Sequence, residues 1–278
     1  MSTSEIMYLG PEGTYAHEVA QKRYHDTGRL LGCESIHEIC QKVGTTSISR
    51  GVVPIVNSSG GMIYETVDGL LDNKLSLYIE EEIAINVRLA LLGRKGEEIR
   101  TIFSHFAPLK HCGVWLRTEY PKAKLVEVAS TAIAAREAAG NANSAAICNK
   151  RASEIYGVEV LRYPLPGLSE SNVTHFFIIS KKCKILPRSD KTSVAVQLTN
   201  SPGSLCNFLE PFAKAKINLS RLISRPIPGK PDECAFFMDI DESIRKPQLK
   251  KVLGKLEEDT ITMRVVGSYP SFKLYNAS

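Results

Sequence analysis

No run in this 278-residue sequence approaches the roughly 18 consecutive apolar residues of a membrane-crossing helix. The start, MSTSEIMYLG, has neither the basic residues nor the long apolar stretch of a secretory signal. A cytoplasmic protein with no membrane partner is therefore expected. Seven cysteines (Cys33, Cys40, Cys112, Cys148, Cys183, Cys206 and Cys234) include no Cys-x-x-Cys pair, and no spacing closes a metal site around the six histidines. Reduced, mostly buried thiols and no metal follow. The net charge of +5 forms no Arg/Lys stripe interleaved with aromatics, which argues against nucleic acid and weakly for anionic small molecules. A Walker loop, a Ser/His/Asp order, paired carboxylates, internal repeats and low-complexity segments are also missing.

What is present is enough apolar material, 43% of the chain, for real cores, in a length beyond one compact domain. Apolar runs at 6–9, 51–55, 101–104, 124–128 and 145–148 precede amphipathic stretches at 14–24, 62–71, 107–117, 131–139 and 150–156. Repeated strand-then-helix units imply an α/β body with mostly parallel sheets covered on both faces. Ligands bind such sheets beyond the carboxyl ends of the strands. The extended segment 75–92 is placed to carry the chain into a second sheet, and 171–180 to carry it back, which predicts two lobes and a cleft. Segment 181–191 is charged, contains Pro187, lacks periodicity and reads as a linker. Beyond it come strand 192–198, helix 203–214, strands 217–225 and 233–240, helix 245–259 and strand 262–266. This βαββαβ order is the ferredoxin-like plan, which by itself says little about function.

Polar residues gather at the strand-to-helix junctions. In Gly10-Pro11-Glu12-Gly13-Thr14-Tyr15 the glycines permit a tight turn, and Thr14 caps a helix or faces an anion. Asn57, Ser58 and Ser59 offer donors and acceptors, while Gly60 and Gly61 let a ligand approach the backbone; a plain loop would carry the same letters. Ser104-His105 follows a strand, with His111 further along, and Ser130-Thr131 opens a helix. In Asn172-Val173-Thr174-His175-Phe176, alternation sets Thr174 and Phe176 on one face and His175 on the other. Each segment alone fits an ordinary cap, loop or strand.

In combination and order they are distinctive. LGPEGTYAH, VVPIVNSSGG, the Ser-His after a strand, the Ser-Thr opening a helix, IYGVEVL and NVTHF together resemble the prephenate dehydratase family over nearly the whole chain. The last 75 residues or so resemble an ACT domain, with SPGSL and ISRP answering the family's PGAL and ESRP motifs. The resemblance implies a periplasmic-binding-protein-like two-lobed catalytic domain at 1–180, its second lobe at about 85–165, a linker at 181–191 and an ACT regulatory domain at 192–278. It implies decarboxylating dehydration of prephenate to phenylpyruvate without a cofactor, phenylalanine as effector, and a homodimer or homotetramer. Carried over by position, Thr174 is the donor at the departing hydroxyl, and Asn57, Ser104 and His175 complete the catalytic set. Thr14, Ser58, Ser59, Gly60, His111, Ser130, Thr131 and Phe176 line the substrate cleft. Gly203, Ser204, Leu205, Ser224, Arg225 and Pro226 form the effector motifs.

The chain also departs from the family pattern. Val56 replaces a glutamate, His175 the arginine of Thr-Arg-Phe, Phe106-Ala107 a Pro-Gln, His111 a glutamine, Ala129 a glutamate of some members and Ile223 the glutamate of ESRP. Histidine lacks the fixed, permanently charged fork of arginine, so His175 is expected to serve as a substitute cation for a substrate carboxylate. The same departures leave two other readings open: a non-aromatising prephenate decarboxylase, or a catalytically inactive phenylalanine-binding sensor.

Overall fold

The computed structural model describes residues 4–25, 27–46, 49–166, 172–256, 260–271 and 273–276. The chain begins β1 (Ser4–Leu9), α1 (Tyr15–Tyr24), β2 (Gly28–Cys33), α2 (Ile36–Thr45), β3 (Arg50–Asn57), β4 (Gly61–Met62), α3 (Tyr64–Leu71) and β5 (Tyr78–Asn86). It continues through β6 (Leu89–Gly93), β7 (Thr101–Ser104), α4 (Phe106–His111), α5 (Gly113–Glu119), β8 (Lys124–Glu127), α6 (Thr131–Gly140), β9 (Ser144–Asn149), α7 (Ala152–Tyr156) and β10 (Glu159–Arg162). After β11 (Val173–Ser180) come β12 (Lys191–Gln197), α8 (Ser204–Lys214), β13 (Leu219–Ile227), β14 (Lys230–Ile240), α9 (Pro247–Leu256), β15 (Thr262–Tyr269) and β16 (Lys273–Asn276).

These strands build three sheets. The first has the order β16-β5-β11-β3-β1-β2 with β4 beside β3, the second β10-β6-β9-β7-β8, and the third β13-β14-β12-β15. The chain leaves the first sheet after Asn86 and re-enters it at Val173. Alternation along β11 assigns its two faces. Phe176 and Ile178 pack with Ile6, Tyr8, Val52 and the α1 residues Val19 and Ala20. Phe177 and Ile179 point the other way, to Ile39 of α2, Val67 and Leu70 of α3, and Ala195, Phe237, Val266 and Tyr269 of the third sheet. The third sheet thus lies against the first, and its opposite face carries α8 and α9 over Val194, Val196, Met238 and Ile240.

The close approach of β15 to β5 depends on a missing side chain. A Cβ at Gly267 would collide with the Ile79 carbonyl oxygen, a backbone atom that cannot rotate away. Gly267→Ala is expected to destabilise the fold by about 1–3 kcal/mol, measured by thermal or denaturant unfolding.

Several elements differ from expectation: β4 and β10 are additional strands, and the stretch 107–117 forms two helices, α4 and α5. Strand β2 and helix α2 have no counterpart among the strand-then-helix units read from the sequence. The signal for α2 is the Ser35-x-x-Glu38 spacing: the Ser35 hydroxyl accepts from the Glu38 amide at 3.1 Å, and the Glu38 carboxylate accepts from the Glu34 amide at 2.7 Å. Strand β16 was expected within the C-terminal module at 192–278, yet Lys273–Asn276 pairs in parallel with Ile83–Asn86 of β5. It covers what would otherwise be an open sheet edge. Ser171 of the expected return strand and 257–259 of the expected helix lie outside the described residues.

Among the described residues, no helix is long and apolar enough to cross a membrane, and no group of three His, Cys, Asp or Glu is placed to hold a metal. Four cysteines are buried (Cys33, Cys40, Cys112, Cys148) and three are exposed.

Candidate active site

The backbone register brings Thr174 of β11 opposite Asn57 at the carboxyl end of β3, although 117 residues separate them. The Asn57 side chain is held in one orientation. Its Oδ1 accepts the backbone N–H groups of Ser59 at 2.9 Å and Gly60 at 2.7 Å. An amide oxygen facing two N–H donors turns its NH2 the opposite way, so the orientation follows from the bonding. That NH2 donates to Asn172 Oδ1 at 2.9 Å and to Thr174 Oγ1 at 2.7 Å.

This fixes what Thr174 can do. Its oxygen accepts from Asn57, so its own O–H proton points elsewhere, and no acceptor takes that proton among the described residues. Thr174 as a residue is 9% exposed, so it is largely screened from bulk water. Ser58 clamps the start of β11: its hydroxyl accepts from the Val173 amide at 2.9 Å, and its own amide donates to the Val173 carbonyl at 2.9 Å. Next, Gly61 adopts φ +85° with open space where a Cβ would stand. Such a backbone leaves room for a ligand.

The loop after β1 leaves the same side of the sheet, because β1 and β3 are parallel neighbours. It binds α7, whose Tyr156 donates its hydroxyl to the Glu12 carbonyl at 2.8 Å, and beside it Tyr15, the first residue of α1, donates to the Arg88 carbonyl in the β5–β6 connection at 2.7 Å. Deeper in, Asn149 donates to the buried Glu18 carboxylate at 2.7 Å. Burial raises the Tyr156 phenol against the pull of Arg136, and burial lowers the His17 pKa, with Arg151 adding to the fall and Glu12 opposing it. Arg136 thus acts on Tyr156 of α7 and Arg151 on His17 of α1, the two helices beside this loop. Neither was singled out from sequence, where they are two arginines among many.

Several expected site residues are committed elsewhere. Thr14 is a cap: its hydroxyl donates to the Leu9 carbonyl at 2.8 Å and accepts from the His17 amide at 3.2 Å. Ser104, fully buried, donates to the Ile147 carbonyl at 2.6 Å, so it stitches the second sheet, as a buried hydroxyl must find an acceptor. Ser130 caps α6 through the Ile133 amide at 3.1 Å, and Thr131 is that helix's first residue. Phe176 is core, packed toward α1. His111 ends α4, half-buried. No hydrogen bond joins Ser104, His111, Ser130 or Thr131 to the Asn57–Thr174 group among the described residues.

His175 departs furthest from expectation. It lies on the opposite face from Thr174, and its Nδ1 meets Glu82 Oε1 at 3.1 Å. Glu82 also binds Lys191 at 3.1 Å and Arg221 at 3.6 Å, both from the C-terminal unit. The expectation of a substrate-holding cation there gives way to a buried ionic cluster between sheets.

In the C-terminal unit, Gly203 (φ +88°) caps α8, and Thr199, Ser201 and Ser204 share hydroxyl contacts at 2.7 to 3.3 Å. Leu205 is half-buried against the helices' core. Gln197, just before that loop, and Arg225 both pair with Ala235 of β14, so the two expected effector motifs lie at one end of the sheet. Ser224 and Pro226 are exposed on the edge strand β13, while Ile223 is buried toward the first sheet, where a glutamate would lose its hydration. Arg225 forks onto Asp68 of α3 at 2.6 and 2.8 Å. Arg225 and Pro226 also border a cavity of about 890 Å³ between α3 and the third sheet, away from Thr174. Its second arginine, Arg264, is bound to the Leu70 and Leu77 carbonyls.

Known proteins match this arrangement along most of its length. Residues 6–184 match the sequence model of the family described as prephenate dehydratase. The bifunctional chorismate mutase/prephenate dehydratase of Pseudomonas aeruginosa is 33% identical over 268 residues, covering 96% of this chain and 73% of that protein. The prephenate dehydratase of Methanocaldococcus jannaschii is 30% identical over 274 residues, covering 96% of this chain and 98% of that one. Among solved structures, the prephenate dehydratase of Arthrobacter aurescens in complex with L-Phe superposes with a TM-score of 0.87 at 29% identity, covering 96% and 90% of the two chains. With a family match over most of its residues and full-length relatives at this identity, the chain belongs to the prephenate dehydratase family.

Proposed function

We propose that the protein is a prephenate dehydratase in which Thr174 donates a hydrogen bond to the departing ring hydroxyl. The observation that carries this reading is the oriented Asn57 amide, which occupies the acceptor side of Thr174 and leaves its proton for a ligand. In the reaction the ring carboxylate leaves as carbon dioxide and its bonding pair enters the ring. The carbon–oxygen bond breaks, and the oxygen departs as water after gaining one proton. Aromatisation supplies much of the driving force, so the protein's task is to position the substrate and favour the leaving oxygen. Ser59, Gly60 and Gly61 form the open floor beside Asn57. His175 is turned toward Glu82 and is not a substrate-carboxylate partner in this reading.

The same reading makes the first two sheets the lobes of a periplasmic-binding-protein-like body and the βαββαβ unit an ACT domain joined by 181–191, with β16 returning to the body. Phenylalanine is its effector, supported by the L-Phe complex of the Arthrobacter aurescens relative and by the two motifs at one end of the sheet. The edge strand β13, with Leu222 45% exposed, is the surface for pairing into a cytoplasmic homodimer or homotetramer.

Incubating the purified protein with prephenate is expected to give phenylpyruvate, read by its absorbance in alkali. A non-aromatic keto acid would identify a decarboxylase. Absence of turnover with calorimetric binding of phenylalanine, and not of tyrosine, would identify a sensor.

A further inference from the structure

Two of the residues at which this chain departs from its family, Val56 and His175, are register partners on β3 and β11. A glutamate and an arginine at these two positions, the types the sequence resemblance implies for the family, would stand opposite each other across the strands. Here a valine faces the histidine, and the histidine meets Glu82 of β5, the neighbouring strand on its other side. Glu82 is 1% exposed and is also gripped by Lys191 of β12 and Arg221 of β13. Arg221 continues to the fully buried Asp239, which accepts from the Ser193 hydroxyl at 2.5 Å. The two buried carboxylates are matched by two fixed cations from the C-terminal unit.

The location gives this cluster a consequence for Thr174, the residue before His175. On the β3 side the ladder is interrupted just there. His175 pairs with Val56 and Phe176 with Pro54, leaving Ile55 as an extra, bulged residue. Pro54 has no N–H to donate. The carbonyls of this stretch are taken by other partners: Ile55 by the Ile63 amide at 2.9 Å, and Pro54 by the Thr66 hydroxyl at 2.6 Å. Thr174 and His175 keep their pairing with β5, but on β3 their register is broken immediately after His175, and side chains add to the hold at this point, Asn57 on Thr174 and Glu82 on His175.

We infer that Glu82 is a positioning residue for Thr174, acting through His175, and that Lys191 and Arg221 of the C-terminal unit hold it in place. The cluster supplies a polar hold at this point that the Val56–His175 register pair does not. The inference rests on the dehydratase reading for its kinetic consequence and on the geometry alone for its coupling.

Glu82→Gln in the full chain is expected to lower kcat for prephenate by roughly 10- to 100-fold, the scale of a small misplacement of a reacting group, with KM changed less than threefold or so. In a Val56→Glu/His175→Arg background, which reinstates the family pair, the same Glu82→Gln change should leave kcat within about twofold of that background. Wild-type kcat in the single variant, or an equal loss in both backgrounds, overturns the inference. A double-mutant cycle of Glu82→Gln with His175→Gln on thermal unfolding is read regardless of turnover: non-additive shifts are expected, and additive shifts overturn the coupling. A wild-type protein that makes no phenylpyruvate while showing that non-additivity would remove the dehydratase reading and leave the Glu82–His175 anchor standing.

Discussion

Thr174→Ala is expected to lower kcat for prephenate by roughly 10²–10⁴-fold, the range for a positioned proton or hydrogen-bond donor, with KM nearly unchanged. The reason lies in the direction of one hydrogen bond. Asn57 cannot turn its oxygen toward Thr174 without abandoning the Ser59 and Gly60 amides, so it donates, and the threonine oxygen accepts. The threonine proton is thereby left for a partner other than Asn57. A leaving oxygen that gains negative charge as its bond to carbon stretches is stabilised most in the transition state, which places the loss in kcat. Thr174→Val keeps the shape and removes only the donor, so it should match the alanine variant. Thr174→Ser keeps the donor and should recover most of the rate. Near-normal kcat in both Thr174→Ala and Thr174→Val would remove Thr174 from the chemistry.

Asn57 and Thr174 are legible in the sequence as polar letters at the ends of apolar runs, within segments whose order resembles one family. Their contact is not legible, because register over 117 residues depends on the whole first sheet. His175 illustrates the opposite problem. Alternation already places it across the strand from Thr174, but its residue type, standing for an arginine, suggests a substrate carboxylate. Only the fold supplies Glu82, 93 residues earlier, as the carboxylate it meets. Ser104 and Phe176 occupy family positions as well, and burial decides them: a hydroxyl with a carbonyl within reach and a phenyl ring in a core have satisfied roles already. The strand-then-helix runs are readable where a continuous apolar run meets a helix cap. Strand β2, GRLLGC, lacks such a run, and β16 spans only Lys273–Asn276, too short for a periodic signal.

Glu82 should also govern acid stability. Burial alone would raise its pKa, but the hydrogen bond with His175 and the charges of Lys191 and Arg221 outweigh it and hold the carboxyl near about 2, against an ordinary value of 4.5. A carboxylate depressed in the folded state contributes stability in full above its unfolded pKa and loses it as pH falls toward the folded one. The window is therefore about pH 4.5 down to 2, and a shift of this size corresponds to on the order of 3 kcal/mol. Asp239 acts in the opposite sense: complete burial raises it, against Arg221 and the Ser193 hydroxyl, and Glu82 adds to the rise. Removing the Glu82 charge thus relaxes both, and the measured difference belongs to the pair. Denaturant unfolding at neutral pH should show Glu82→Leu destabilised by about 3–5 kcal/mol, since Lys191 and Arg221 lose a buried partner. Across the acid window, wild type should lose more stability than Glu82→Gln, so the two curves converge near pH 2. Parallel curves, with Glu82→Gln equally acid-sensitive, would mean that the cluster is not ionised as the geometry requires.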